Sequence, residues 1–274
     1  RAGQFCALAT VVRTRGSAPR PPGASMAVGA DGRVLGSVSG GCVEGAVYEL
    51  GQRVLETGEP QLVQFGYSDD DSFAVGLSCG GKLDIFVQRV GPEDRADFDV
   101  LAAHLAARTP IGVATVVRTD PTRQGAPRVG ERLLLPGEQR SGTIGSARLT
   151  EAIVDDALGQ LALGHTGVLS LGADGERRLD EIEVLVESFA PPPRLYVFGA
   201  IDFAVAMSRA GRFLGFEVTV CDARAVFTTR ARFPEADHVI VAWPHEFLRD
   251  HPPDARTAIC VLTHDPKFDV PLLE

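Results

Sequence analysis

The chain repeats itself. Ala9-Thr-Val-Val-Arg-Thr14 returns as Ala114-Thr-Val-Val-Arg-Thr119, six identical residues 105 positions further along. The surroundings follow: Pro19-Arg20 returns as Pro127-Arg128, Gly36-Ser-Val38 as Gly142-Thr-Ile144, and Leu83-Asp-Ile-Phe-Val87 as Ile182-Glu-Val-Leu-Val186. A repeat held in register over this length points to duplication of one unit, so the second copy has to adopt the fold of the first. The reading is one domain over 1–189, built of halves at about 1–92 and 108–189. A helix over about 93–107, carrying Phe98, Leu101 and Leu105, joins them.

Within the first half, residues 5–12 read as a buried strand and Arg15 to Gly23 as a Gly- and Pro-rich loop. Met26 to Val28 and Val34 to Val38 read as strands joined by a turn at Asp31-Gly32. Val43, Val47, Leu50 and Val54 then fall at spacings of four, three and four, one face of an amphipathic helix. Residues 61–66 make another strand, followed by a polar loop from Tyr67 to Ser72, a small-residue loop from Gly76 to Gly81 and the strand Leu83 to Val87. The second half carries the matching helical pattern through Ile153, Ala157 and Leu161.

The copies differ where chemistry could sit. The first has Ser39-Gly-Gly-Cys42 and Ser78-Cys-Gly-Gly81; the second has Gly145-Ser-Ala-Arg148 and the charged run Gly175 to Asp180. Small residues leading into a helix let the backbone approach a ligand. The free N–H groups and dipole there favour an anion, whether phosphate or thiolate. Cys42, at that entrance, is expected to have a lowered pKa and to serve as a nucleophile or soft-metal ligand. The plainer alternative is a small buried residue filling a gap.

After Ala190-Pro-Pro-Pro193, a stiff linker, the pattern changes. Leu195 to Phe198, Glu217 to Cys221, His238 to Ala242 and Thr257 to Leu262 read as apolar strands, with a helix from Gly199 to Gly215. A βαβ series of this kind makes a parallel, doubly wound sheet. The fold class is therefore α/β: a duplicated mixed α/β N-terminal domain followed by a Rossmann-like domain over 194–274. Gly199 and Asp222, 23 residues apart, suit a nucleotide-binding turn and its ribose-binding acid. The middle glycine of the fingerprint is Ile201, whose branched side chain crowds a pyrophosphate. Asp202 is expected to cap the helix and repel a phosphate. A Rossmann fold is supported, tight NAD(P) binding is not. His245, His264 and Asp265 follow strand ends, but without metal-ligand spacing they read as solvated groups and turn caps.

A net charge of −9 with 7% aromatic residues argues against nucleic acid as the main partner. No apolar run reaches the roughly 18 residues a membrane span needs, and no signal peptide is visible. Five widely spaced cysteines without C-x-x-C argue against a disulfide framework or zinc site and for a reducing cytoplasm.

Together the motifs resemble the xanthine dehydrogenase accessory proteins, the XdhC and CoxI-like family. Gly16-Ser17, Pro19-Arg20, Gly23, Met26, Gly36-Ser-Val-Ser-Gly-Gly-Cys-Val-Glu44 and Ser78-Cys-Gly-Gly81 match its N-terminal region. Val197-Phe-Gly199, Phe216 to Val220, Asp222, Trp243-Pro244 and Thr263 to Asp269 match its Rossmann-like region. The resemblance implies a chaperone that binds the molybdenum cofactor (molybdopterin), protects it, assists its sulfuration and delivers it to a molybdenum hydroxylase apoenzyme, with a cysteine desulfurase as a further partner. It implies an accessory factor rather than an enzyme, and a further segment past Glu274, so that the Rossmann-like domain is incomplete at its C-terminus. Cys42 and Cys79 match the family's motif cysteines. Thiolates suit molybdenum. Ser17, Arg20, Ser39, Glu44 and the loop glycines Gly40, Gly41 and Gly80 are the candidate neighbours of the cargo, Gly199 and Asp222 those of a nucleotide. A homodimer is the base expectation. The competing readings are an NAD(P)-dependent oxidoreductase using the Rossmann half and a thiol redox protein pairing Cys42 with Cys79.

Overall fold

A computed structural model of the chain describes residues 5–66, 80–120, 122–123, 125–137, 140–177 and 179–274. Two compact units are present, Arg1–Ala190 and Pro191–Glu274.

The first unit contains two antiparallel sheets. One is built from β1 (Cys6–Arg15), β2 (Ser25–Gly29), β3 (Val34–Gly36), β4 (Gln61–Phe65) and β5 (Lys82–Val90), in the order β3-β2-β1-β5-β4. Helix α1 (Glu44–Thr57) falls between β3 and β4, and α2 (Arg95–Ala107) leads to the second sheet. That sheet is built from β6 (Ile111–Arg118), β7 (Arg132–Pro136), β8 (Gly167–Leu171) and β9 (Ile182–Phe189), in the order β7-β6-β9-β8, with α3 (Ala147–Leu163) between β7 and β8. The duplication extends to fine detail. The β1–β5 register shifts between Val11 and Arg13, and the β6–β9 register shifts between Val116 and Arg118. A lone bridge from Leu134 to Ser141 falls where Ala27 pairs with Leu35.

Alternation along the strands divides the unit into layers. Ala7, Ala9 and Val11 of β1 and Leu83, Ile85 and Val87 of β5 join Val47, Leu50 and Val54 of α1 in one core. Ala114 and Val116 of β6 and Val184 and Val186 of β9 join Ile153 and Ala157 of α3 in another. The opposite faces meet: Val12 and Phe86 of one sheet pack against Val117 and Leu185 of the other. By the repeat these are equivalent pairs, so the halves bury the same positions against each other. At the bulges the repeated arginines converge. Arg13 and Arg118 both donate to Glu183, at 2.9 and 2.6 Å, and Arg13 also lies 4.0 Å from Asp84.

The second unit has a parallel sheet of β10 (Arg194–Phe198), β11 (Glu217–Cys221), β12 (His238–Ile240) and β13 (Thr257–Val261), in the order β12-β11-β10-β13. Leu195 and Val197 face α4 (Asp202–Phe213) in one core. Tyr196 and Phe198 face the other way, against Phe247 of α5 (Pro244–Asp250) and Leu272 of α6 (Pro266–Leu273). Coverage of both faces is what a doubly wound sheet requires. No helix of the described residues is long and apolar enough to cross a membrane.

Candidate functional site

The two copies part company at the entrance to their helices. Counted from the matched Gly36 and Gly142, Glu44 corresponds to Thr150. Helix α3 begins at Ala147, capped by Ser146, whose side chain accepts from the Leu149 amide. Helix α1 begins only at Glu44, three positions later in the common frame. The cause is local: Gly40 and Gly41 stand at φ +82° and +122°, conformations that do not continue a helix and that glycine adopts without strain. The first copy has thus unwound its leading turn into a loop over residues 37–43.

That loop wraps the carboxylate of Glu44. The Ser37 hydroxyl donates to it at 2.7 Å, the Ser39, Gly40 and Gly41 amides at 2.8–2.9 Å, and the Ser39 hydroxyl makes a short bond. Burial opposes the charge, but the hydroxyls of Ser39 and Ser37 and the Ser39 and Gly41 amides outweigh it, holding the carboxyl well below the usual range. The amides expected to receive a ligand's anion are directed at an anion of the chain itself. The Ser39 hydroxyl also accepts from the Cys42 and Val43 amides, each at 3.1 Å, a capping role carried out by a residue outside the helix. In the second copy the Thr150 hydroxyl makes, among the described residues, only a local pair of bonds, to the amide and carbonyl of Ile144.

Cys42 is consequently fixed at the tip of a braced loop. It is half-buried, and like Ala18 it packs against the α1 core. Among the described residues, a methyl group added at Gly40, Gly41 or Gly80 would meet no atom within 4 Å. The Gly80-Gly81 turn immediately precedes β5. A side chain at Gly81 would collide with the Ser17 carbonyl, which ties this turn to the Arg15–Ser17 loop. Ser17, Arg20 and Gly80 are all exposed. Cys79 lies outside the described residues, as does the rest of the Gly76–Ser78 segment.

In the second unit, Asp222 is buried and accepts from the Ala200 amide at 2.8 Å and from the Arg224 guanidinium at 2.7 and 3.0 Å. Burial raises its carboxyl, but the Arg224 side chain with the Ala200 and Arg224 amides lowers it by more, to a net depression. The acid therefore fastens the Gly199-Ala200 turn. Gly199 itself lies so close to β13 that a Cβ would stand 3.0 Å from the Leu262 carbonyl carbon and the Thr263 nitrogen. Asp202 departs from expectation: the residue at the cap is Ile201, without a side-chain cap, and exposed Asp202 pairs with Arg232 at 3.1 Å. Asp265 caps α6 by accepting from the Lys267 amide. His264 is exposed. His245 is not solvated as expected; it is half-buried beside Trp243, and its Nδ1 is buried with no hydrogen-bond partner among the described residues.

The remaining thiols are of another kind. Burial and the Asp222 charge push Cys221 up to about 12. Burial also raises Cys6, aided by Asp94, and Cys260. No group of three His, Cys, Asp or Glu side chains among the described residues could hold a metal ion by itself. Sequence reading missed the Arg13–Glu183–Arg118 cluster. The repeated arginine was its one visible signal, and the converging register that gives it meaning is three-dimensional.

Residues 1–66 and 104–172 match the model of the XdhC and CoxI family, and residues 195–274 match that of the XdhC Rossmann domain. The chain is similar to a probable xanthine dehydrogenase subunit of Bacillus subtilis (strain 168), 28% identical over 266 residues, which cover 96% of this chain and 73% of that protein. It is also similar to the molybdenum cofactor insertion chaperone PaoD of Escherichia coli (strain K12), 33% identical over 142 residues, 51% of this chain and 40% of that protein. A crystal structure described as a xanthine dehydrogenase from Bacillus halodurans superposes with a TM-score of 0.62 at 22% identity, over 98% of this chain and 74% of that one. At that identity the likeness concerns the fold alone.

Proposed function

The chain belongs to the XdhC and CoxI family, and on that premise we propose that it is a molybdenum cofactor chaperone for a xanthine dehydrogenase-type hydroxylase. Support comes from the name of the E. coli relative, the insertion chaperone PaoD. The observation that carries the reading to particular residues is the Glu44-braced loop, which is present only in the thiol-bearing copy.

The residues present fit such a cargo in a specific way. A metal already held by the dithiolene sulfurs of its pterin needs few protein donors, and a single soft sulfur is an appropriate one. Cys42 is assigned that contact, with Cys79 as its neighbour. Ser39, Gly40, Gly41 and Glu44 act behind it as positioning residues, because their polar groups are engaged with one another. Contacts to the cargo's phosphate fall to the exposed groups, Arg20, Ser17 and the Gly80 amide. Arginine suits a phosphate through its planar fork. Glu44, held ionised by the donors around it, has no proton to give and is too weak a base to take one, so it serves neither as general acid nor as general base. We assign Gly199 and Asp222 to the integrity of the Rossmann turn, not to a nucleotide, because Asp222 is already committed to Ala200 and Arg224.

The client is a molybdenum hydroxylase apoenzyme. Protection of the cargo during sulfuration by a cysteine desulfurase, and its later delivery, are the tasks this arrangement suits. The test is to purify the full chain from cells that also express a molybdenum hydroxylase and to measure bound molybdenum and pterin. Wild-type protein is expected to carry both and Cys42→Ala to carry neither while remaining folded. Equal loading of the variant would remove Cys42 from the site.

A further inference from the structure

The layer between the two sheets of the first unit is not uniform. One end holds the Arg13–Glu183–Arg118 cluster and the middle holds Val12, Phe86, Val117 and Leu185. The other end is open: a cavity of about 210 Å³ lies there, bounded by both sheets and by α2. Its walls come in repeat-related pairs. Leu8 stands opposite Gln88 in the first sheet, and Val113 stands opposite Glu187 in the second. Ser25 and Arg132 form a third pair. Phe98 and Leu101 of α2 and Thr115, Leu134 and Phe189 of the second sheet add to the lining, yet no residue of α2 is fully buried.

The pairing is broken in charge. Where the first half has Gln88, the second has Glu187. Among the described residues, no hydrogen bond reaches the Glu187 carboxylate. Arg132, from β7, faces it, but its guanidinium is bound to Asp94 and lies over the Phe98 ring at 5.5 Å. Asp97 adds a second carboxylate to the lining. The cavity is thus apolar in its walls and negative in balance. Burial pushes the Glu187 carboxyl up to about 7, against the pull of Arg132. A carboxylate left so in an apolar site is stabilised by any cation that enters.

We infer that this cavity binds a small arylalkyl ammonium ion, with its ring among Leu8, Phe98, Val113 and Leu101 and its cation on Glu187. The size is suitable: a dry cavity of about 150 Å³ takes benzene, and one of about 210 Å³ takes a ring with a short arm. The site lies on the sheet faces turned away from the α1 core on which Cys42 packs, and it stands or falls independently of the cargo reading. Entry is past α2, the least buried wall.

Isothermal titration of the full chain with benzylammonium, benzyl alcohol and toluene tests this. At pH 8 benzylammonium is expected to bind once per chain and about tenfold or more tighter than benzyl alcohol, the worth of one charge-assisted hydrogen bond. Glu187→Gln is expected to abolish that preference while leaving toluene binding intact. Leu101→Trp, on the lightly buried helix, is expected to fill the space and block all three. Lowering the pH to 5.5 is expected to weaken benzylammonium and not toluene, since Glu187 is then protonated; the other charged groups around the cavity are Arg132, its partner Asp94, and Asp97. No binding of benzylammonium at pH 8, equal affinity for the amine and the alcohol in wild-type protein, or an unchanged preference in Glu187→Gln would each overturn the assignment.

Discussion

Replacing Glu44 by Gln keeps the shape of the side chain and removes its charge. One oxygen remains to accept, and the new amide group turns donors toward donors. Five polar hydrogens now converge on the carboxylate. Gly40 and Gly41 are exposed, so water re-satisfies their amides. Ser39 is 1% exposed, so its amide and hydroxyl have no such recourse. Two buried donors left without a proper acceptor, at about 1–3 kcal/mol each, put the loss at about 2–6 kcal/mol. For a unit of this size that lowers the melting temperature by roughly 4–24 °C. The pH dependence carries a sign as well. The folded carboxyl titrates well below the unfolded one, which sits near 4.3. Its stabilisation is therefore complete at neutral pH and fades as the pH falls below about 4.3 toward the folded value. Glu44→Gln is expected to lose that part of the acid dependence. Urea unfolding at pH 7 and at pH 3.5 measures both effects. Alkylation of Cys42 by iodoacetamide, followed by mass spectrometry, reports the loop directly and is expected to accelerate in the variant. A change under about 0.5 kcal/mol at pH 7, with unaltered alkylation, would refute the claim that Glu44 braces the loop.

Ser39→Ala removes one donor to Glu44 and the acceptor for the Cys42 and Val43 amides; a loss of about 1–2 kcal/mol in urea unfolding is expected, the usual range for a missing helix cap. Phe86→Ala opens the contact between the sheets and is expected to lose about 3–5 kcal/mol, read by the same assay. Glu183→Gln breaks the pairing with Arg13 and Arg118. Those arginines hold the Glu183 carboxyl below its usual value despite burial, so the wild-type advantage is expected at neutral pH and is lost below about pH 4.3. Asp222→Asn is expected to accelerate hydrogen exchange at the Ala200 amide without lowering molybdenum loading.

The duplicated fold was legible because six residues repeat without a gap, and because Val43, Val47, Leu50 and Val54 mark one helix face. The parallel sheet was legible from four apolar runs separated by turn and helix signals. The loop before α1 was legible as a break in the chain, through its glycines, but not in its wiring. Glu44 reads in sequence as a candidate neighbour of the cargo, and nothing there marks it as the acceptor of its own loop. Only the left-handed backbone at Gly40 and Gly41 turns the preceding amides back onto it. The cavity at Glu187 was invisible for a related reason. A strand sequence does not say which residues of two sheets will face one another, and Gln88 against Glu187 acquires meaning only when the halves are stacked. Asp202 illustrates a third limit, since a cap and a surface ion pair with Arg232 call for the same residue type.

The central claim is that the Cys42 sulfur touches the metal of the cargo. X-ray absorption at the molybdenum edge, on cargo-loaded full-length protein, tests it most directly. One more sulfur neighbour than the free cofactor has is expected in the wild-type protein, supplied by Cys42. A sulfur count equal to that of the free cofactor would contradict it.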